Sequence, residues 1–487
     1  MVTVTRVPVK LRPNPQRVLL RYFTPGEKER IEHVLARILT LSEEEVTEHL
    51  SSISARFSHH ESYLKERLSS HFERIRPYLF LDAELSEERK LFIGSFFTSE
   101  YSIEASALFN PSIVPHPDQS GLPEGAIRFV LSLRATGEGH ISSLVFREGV
   151  FHPDGRVTVE ESGARYVLPP QVIANSTYNK REFIAKLTEA GYYNEYAELL
   201  LSPLGEEFGY RDLIRRIEEL REATPTHTRP FLGTLEAIEW LASFNQEVYF
   251  PPDVPIDRRV IPPATVVDLK GIEDARFVRF VDERGAVTYY ATYTAYDGTS
   301  FSPQLLATKD FTHFRFISLT GKAVKNKGFA LFPRKIGGKY CMLGRQDNET
   351  ITLMFSDHLS FWNEYRIILR PKYVWEFIQM GNCGPPIETE AGWLVITHGV
   401  GPMRHYALGA VLLDREDPLR VLGRLRDPLL EAVGEERAGY VPNVLYSCGS
   451  LLHEGRLLIP YAMSDYVTSF AIVQVDELLE ELLHCGP

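Results

Sequence analysis

At 487 residues the chain is long enough for two or three domains, and 44% hydrophobic with 24% charged residues is an ordinary globular balance. A net charge of −12 argues against nucleic acid as a partner, because phosphate backbones select basic surfaces. The opening MVTVTRVPVKLRPNPQ lacks an apolar core of signal-peptide length, and no run of about 18 apolar residues follows, so neither export nor a membrane span is expected and the cytoplasm is the expected compartment.

The first region reads as helical. Thr24-Pro25-Gly26-Glu27 resembles a helix start, with Ile31, Val34, Leu35 and Ile38 following at helical spacing. Ser42 and Glu45 form a second capping-box pattern, and a third helix is expected over His60–Arg76. From about residue 96 the texture changes to short strands rich in β-branched and aromatic residues: Arg128–Arg134, Phe277–Val281, Val287–Tyr293 and Trp393–Thr397. Turn signals punctuate them at Asp154-Gly155, Arg284-Gly285, Gly337-Gly338, Ala391-Gly392 and Glu454-Gly455. The last four of these glycines are 53, 54 and 63 residues apart. Tyr178–Phe244 instead carries Leu213, Ile217 and Leu220 on one helical face, and setting aside 175–246 as an insertion brings the Gly155–Gly285 interval to 58. Four short strands with their connections need somewhat over about 40 residues. The economical reading is therefore mainly β: a five-bladed β-propeller over 96–487 with a helical insertion at about 175–246, behind an N-terminal helical region over 1–95. A pair of β-sandwiches is the alternative.

Polar groups cluster where these strands meet loops. They include Asn110 in FNPS, Arg134 at a strand end, Glu273 and Asp274 in GIEDAR, Asp297 in TAYDG, and Lys327 before ALFP. Arg345, Glu388 in GPPIETE, His398 in HGVGP and the GYVPN segment follow. One Glu-Asp pair alone is ordinarily a solvated loop, and one strand-end Arg a surface ion pair worth about 0–1 kcal/mol. The recurrence of such groups in each proposed blade is what suggests a shared site. Cys341, Cys383, Cys448 and Cys485 match no metal spacing and are too few for a disulfide framework, so reduced structural thiols are expected. No His/Cys/Asp/Glu spacing calls for a metal.

The succession FNPS, GIEDAR, TAYDG, ALFP, GPPIETEAGW, HGVGP and GYVPN resembles the family-130 glycoside hydrolases, which are mannoside phosphorylases and mannosidases on a five-bladed propeller. The likeness covers roughly 100–475, apart from the insertion. It implies that Asp274 is the general acid, with Ala275 where the family carries Pro. It further implies that Asn110 and Arg134 line the sugar site, that Asp465 grips the mannosyl unit, and that His398 touches sugar or nucleophile. Asp297 is a further candidate substrate contact, and His405 reads as a surface residue. Phosphorylases of the family resemble one another in basic residues that here fall on Lys327 and Arg345. At the third such position they carry Lys, where this sequence has Glu388.

A carboxylate about 4 Å from phosphate would oppose binding by about 4 kcal/mol at an effective dielectric of about 20. Opposite the scissile bond, about 6.5–9.5 Å from the acid, it would instead activate water in an inverting hydrolase. The expectation is therefore an inverting, exo-acting β-mannosidase with Asp274 as acid and Glu388 as base. Glu436, or else Glu431, is its companion, and a β-1,2 linkage rests on the resemblance alone. The alternatives are a phosphorylase that takes inorganic phosphate as co-substrate and makes mannose 1-phosphate, and a sugar-binding propeller without turnover. No cofactor is implied, a mannoside oligosaccharide is the implied partner, and the N-terminal helices with family precedent make a homo-oligomer reasonable.

Overall fold

The computed structural model describes residues 2–56, 61–79, 84–160, 163–173, 177–189, 191–223, 228–243, 247–263, 268 and 270–487. Its contacts divide the chain into two compact units, 15–104 with 164–168, and 1–14 with 105–163 and 169–487. This differs from the expected boundary near 95.

The smaller unit is built from helices Lys28–Leu39, Glu43–Ala55, Glu61–Ile75 and Glu87–Phe96, beside an antiparallel pair formed by Val18–Tyr22 and Thr98–Ser102. The first helix starts after the expected Thr24 cap, because Gly26 has φ +123° and cannot lie in a helical turn. Ser42 and Glu45 do form the reciprocal capping box. His60, the expected start of the third helix, lies outside the described residues. Ile31, Leu35 and Ile38 are buried at helical spacing. Arg89, itself buried, closes the core's polar edge by donating to the carbonyls of Ile38 and Leu41 at 2.9 and 2.7 Å and to Glu43 at 2.6 Å.

The larger unit is mainly β. The opening residues, expected with the helices, instead form strand Val4–Leu11, which pairs antiparallel with Val467–Gln474. The alternation of valines with polar residues there suits a strand face better than a helix. That sheet continues through Arg456–Met463 to Leu445–Tyr446, with Leu451–His453 also paired to it. A second sheet holds Gln379–Asn382, Trp393–Gly401, His405–Leu413 and Val421–Arg424, with short strands Ile387–Glu388 and Leu430–Glu431 at its margin. A third holds Ala330–Leu331, Tyr340–Gly344, Ile351–Ser356 and Arg366–Leu369. The largest contains two antiparallel runs, Ala107–Pro115 to Ser142–Phe151 and Gly271–Val281 to His313–Ser318, joined by a single parallel pair, Gly271 with Ser142. Each expected strand is present and longer than its β-branched stretch suggested. The turn glycines have the positive φ that tight hairpins need. At Gly392 a Cβ would also stand 2.2 Å from the Leu413 carbonyl oxygen.

Between these runs sit helices Lys180–Glu189, Glu195–Leu201, Tyr210–Ala223 and Arg229–Ser243. They enclose a core that includes Phe183, Leu187, Leu200, Leu213, Ile217, Leu235 and Ile238. The expected limits of this insertion, 175 and 246, lie outside the described residues. Among the described residues no helix is long and apolar enough to cross a membrane. All four thiols are free, three of them buried.

Candidate active site

Two strands that carry site residues are interrupted by bulges. In Gly271–Val281 the register with the neighbouring strand shifts between Glu273 and Arg276, and Asp274 within the bulge has φ +51°. In Ala107–Pro115 the shift falls between Phe109 and Ser112, and Asn110 has φ +49°. A regular strand sends successive side chains to opposite faces, whereas a bulge re-aims one of them. The bulges are tied together, since the Phe277 amide donates to Ser112 Oγ at 2.9 Å.

Asp274 and Asn110 thereby meet Phe109, Arg134, Lys327, Arg345, Gln379, His398, Arg404, Tyr406, Val444, Tyr446 and Asp465 around one cleft of about 160 Å³. Of the residues expected from the sequence, Asp274, Asn110, Arg134, Lys327, Arg345, His398 and Asp465 are brought together here. Arg404, Tyr406 and Gln379 were not anticipated.

Buried Glu273 holds two of the cations, Arg134 Nη2 at 2.6 Å and Lys327 Nζ at 3.9 Å. Arg134 also reaches within 3.7 Å of Asp274 and donates to Ser142 Oγ at 2.8 Å. Behind the acid, fully buried Arg276 donates to the Asp274 carbonyl and to Tyr446 Oη. Burial pushes the Asp274 carboxyl up, but Lys327, Arg276, Arg134 and Arg345 together outweigh it and hold the group below its usual range. Asp465 shares the cleft and goes the other way. Burial and the Asp274 charge raise it to about 6, against the pull of Arg134, Arg404 and Lys327. Two carboxyls in one cleft with pKa values pushed apart are suited to different tasks.

His398 is buried, and burial together with Arg345 and Arg276 keeps it well below its ordinary range, hence neutral. Its Nε2 lies 3.1 Å from Arg345 Nη1. A guanidinium only donates, so Nε2 must accept and the ring proton must sit on Nδ1. That nitrogen faces Cys383 Sγ at 3.7 Å and the Asn382 backbone. The ring packs edge-on against Tyr446 and parallel to Tyr406. Gly381 leaves the necessary room, since a Cβ there would fall 2.6 Å from His398 Cε1. Arg345 is thus held by one bond, while its buried Nε has no partner. Arg404 is delivered by a two-residue reversal in which Met403 and Arg404 have φ +60° and +55°. Neither Arg345 nor Arg404 makes an ion pair among the described residues.

Three expected site residues lie elsewhere. Glu388 pairs with Trp393 across the sheet, and His398 lies five residues further along the same strand. At about 3.4 Å per residue the Glu388 backbone is therefore roughly 17 Å from the cleft histidine. Its carboxylate is taken by Arg334, at 2.7 and 2.9 Å, and Arg415 at 3.0 Å, and hydrogen bonds from Arg334 first of all keep it ionised. The expectation that it faces Asp274 as a base is corrected. Glu436 accepts from Arg6 Nε at 3.0 Å, Tyr461 Oη at 2.8 Å and the Val433 amide at 3.1 Å, and Glu431 is exposed. Asp297 is not a cleft residue: its carboxylate closes a turn on the amides and hydroxyls of Thr299 and Ser300. Among the described residues no group of three or more His, Cys, Asp or Glu side chains is placed to hold a metal.

A family model for glycoside hydrolase family 130, described as β-1,4-mannooligosaccharide phosphorylase, matches residues 254–483. A 1,2-β-oligomannan phosphorylase of Thermoanaerobacter sp. (strain X514) is 38% identical over 232 residues, 46% of this chain and 75% of the relative. A β-1,2-mannobiose phosphorylase of Listeria innocua is 32% identical over 220 residues, 44% of this chain and 60% of the relative. The solved structure of a β-1,2-mannobiose phosphorylase from Listeria innocua, in complex with β-1,2-mannobiose, superposes with TM-score 0.46 at 23% identity, over 77% of this chain and 92% of that one.

Proposed function

The chain belongs to glycoside hydrolase family 130, and from that premise we propose that it is an inverting β-mannoside phosphorylase, acting on β-1,2-linked mannosides and releasing mannose 1-phosphate. The observation that carries this reading is the charge around the cleft. Lys327, Arg345 and Arg404 converge on it, and among the described residues neither arginine is held in an ion pair, Arg345 acting on Asp274 and Arg404 on Asp465 only from a distance. Guanidinium groups without a paired carboxylate in a partly buried cleft favour an anionic ligand, and a dianion with several acceptor oxygens suits three cations. The residue that favoured hydrolysis, Glu388, is spent on Arg334 and Arg415. We also infer that the antiparallel strand groups are blades of a five-bladed propeller, with the N-terminal strand completing the last.

Phosphate held by Lys327, Arg345 and Arg404 attacks the anomeric carbon on the face opposite the glycosidic oxygen. The carbon–oxygen bond breaks with its electron pair going to the leaving oxygen, which takes a proton through Asp274. The proton the phosphate gives up restores that acid. Mannose 1-phosphate of inverted configuration and a mannoside shorter by one residue result, so protons and charge balance. Asp274 is held ionised because Lys327, Arg276, Arg134 and Arg345 surround it. Bound phosphate cancels part of that field and lets the carboxyl rise, coupling proton supply to arrival of the nucleophile. Asn110, Arg134 and Asp465 are left to hold the mannosyl hydroxyls.

The test is incubation of β-1,2-mannobiose with the enzyme, with and without inorganic phosphate. Mannose 1-phosphate formed only with phosphate is expected. Free mannose released equally without phosphate would establish hydrolysis and overturn the reading. Loss of at least about 10²-fold in kcat in Asp274→Asn, with the phosphate KM little changed, is expected of the general acid.

A further inference from the structure

One buried amide side chain beside the cleft joins the supports of two of its cations, and the chemistry above makes no use of it. Asn382 ends the strand Gln379–Asn382, one residue past Gly381, which lies opposite His398. Its Nδ2 donates to the Gly328 carbonyl at 2.6 Å, in the loop that precedes Ala330–Leu331. Its Oδ1 accepts from the Gly384 amide at 3.1 Å. An amide N–H only donates and a carbonyl only accepts, so these two buried partners fix which way the Asn382 side chain faces.

The Gly328 carbonyl directly follows Lys327. Among the described residues, Asn326, Lys327 and Gly328 make no hydrogen bond with other backbone groups, so it is the Asn382 amide that ties this stretch of backbone. Gly328 adopts φ +89° and packs against Arg345: a Cβ there would stand 3.9 Å from Arg345 Cβ and Nε. The Asn382 backbone in turn lies against Nδ1 of His398, whose Nε2 braces Arg345 at 3.1 Å. Lys327 and Arg345 flank the strand pair Ala330–Leu331 and Tyr340–Gly344, and one residue touches what supports each of them.

We propose that Asn382 is a positioning residue for the anion pocket: it sets the separation of Lys327 from Arg345, and so the fit of both to one phosphate. The inference rests on the phosphorylase reading of the cleft and deepens it. Two cations gripping one dianion must match the spacing of its oxygens, and hydrogen bonds weaken steeply when the geometry is off. Lys327 carries a compact charge on a flexible stem, so its reach depends on where its backbone is anchored. Asn382 lies outside the residues that line the cleft, so its effect passes through the two cations.

The experiment is a pair of double-mutant cycles, read by initial rates of mannose 1-phosphate formation from β-1,2-mannobiose at varied phosphate. Asn382→Ala should lower kcat/KM for phosphate about tenfold, in line with one buried hydrogen bond left unmade. At saturating phosphate, kcat/KM for mannobiose should stay within about twofold of wild type. A residue that sets the separation of two groups matters only while both are present. Adding Asn382→Ala to Lys327→Met, or to Arg345→Gln, should therefore change kcat/KM for phosphate by less than about twofold. A loss of about tenfold that persists in either background overturns the proposal, since Asn382 would then act through one cation alone or through general packing. Equal losses for phosphate and mannobiose overturn it too. If Asn382→Ala does not fold, Asn382→Ser takes its place, and the same outcomes apply. A serine hydroxyl still accepts from the Gly384 amide two residues on, but it does not reach Gly328. Wild-type enzyme that makes no mannose 1-phosphate is recognised before any variant is compared, and removes the cleft reading itself.

Discussion

Replacing Arg345 by Gln removes one charge from the cleft while keeping a hydrogen-bonding side chain of similar reach. Arg345 is 5% exposed, is braced through Nη1 by His398, and has no partner on Nε. A guanidinium edge offers phosphate two charge-assisted bonds, each worth about 1.5–3 kcal/mol. Losing both costs about 3–6 kcal/mol, or roughly 10²- to 10⁴-fold in kcat/KM for phosphate at about 1.4 kcal/mol per decade. The loss in kcat is smaller than that in kcat/KM, because Arg345 is one of four cations holding Asp274 ionised, and its removal lets the acid carry its proton more of the time. Initial rates of mannose 1-phosphate formation, at saturating mannobiose and varied phosphate, separate the two parameters. A phosphate KM within about threefold of wild type would refute the assignment of Arg345 to the anion, whatever happened to kcat.

Glu388→Gln should leave phosphorolysis intact and cost about 1 kcal/mol of stability or less, since its two arginine partners are 36% and 51% exposed; a hundredfold fall in kcat would return it to the active site. Asp465 is an acid raised by burial from 3.8 to about 6. The stability it contributes is complete below its unfolded value and is lost as pH rises through the folded one, a difference on the order of 3 kcal/mol. Asp465→Asn should therefore raise Tm at pH 7.5 by several degrees and leave it unchanged near pH 3, while activity falls; equal Tm values at both pH values would contradict the buried charge. Gly381→Ala drives a methyl group into His398, so the phosphate KM should rise with little change in mannoside KM, as read by the same rate assay. Nitrogen-15 spectra of His398 should show a neutral ring protonated on Nδ1 at pH 6.5, and a ring that titrates there would remove the brace on Arg345.

The hairpins were legible because two signals coincide: period-two apolar stretches such as Val287–Tyr293, and a glycine-bearing turn before each. The insertion was legible because Leu213, Ile217 and Leu220 repeat at helical spacing and all three are buried. Val4–Leu11 was not, since its pairing partner is more than 450 residues away and nothing local announces it. Glu388 was misplaced for a reason internal to strands. Motif order located it on the correct sheet, but the direction and register of Trp393–Gly401 decide which end reaches the cleft, and a motif states neither. Arg404 was missed because GPMRHY reads as an ordinary turn, and the reversal that aims its guanidinium exists only in the backbone angles.

Those angles point to a more general regularity. Twelve described residues other than glycine have positive φ, and Asn110, Asp274, Arg404 and Asp465 are among them and line the cleft, with Asn326 next to Lys327. Such conformations cost of order 1–3 kcal/mol each, less for Asn and Asp, whose short side chains tolerate the left-handed region. They persist where neighbouring contacts over-determine them. Asn110-Pro111 is held because the Pro111 carbonyl accepts from Cys448, and Ser464-Asp465 because the Ser464 amide donates to Val444. A strand in regular register would turn every second side chain away from the cleft. The chain instead breaks register at Asp274 and at Asn110, using Asp and Asn, the residues that break it most cheaply. A polar turn-former inside an otherwise apolar strand, as in FNPS and GIEDAR, is thus a physical mark of the site that requires no knowledge of the family.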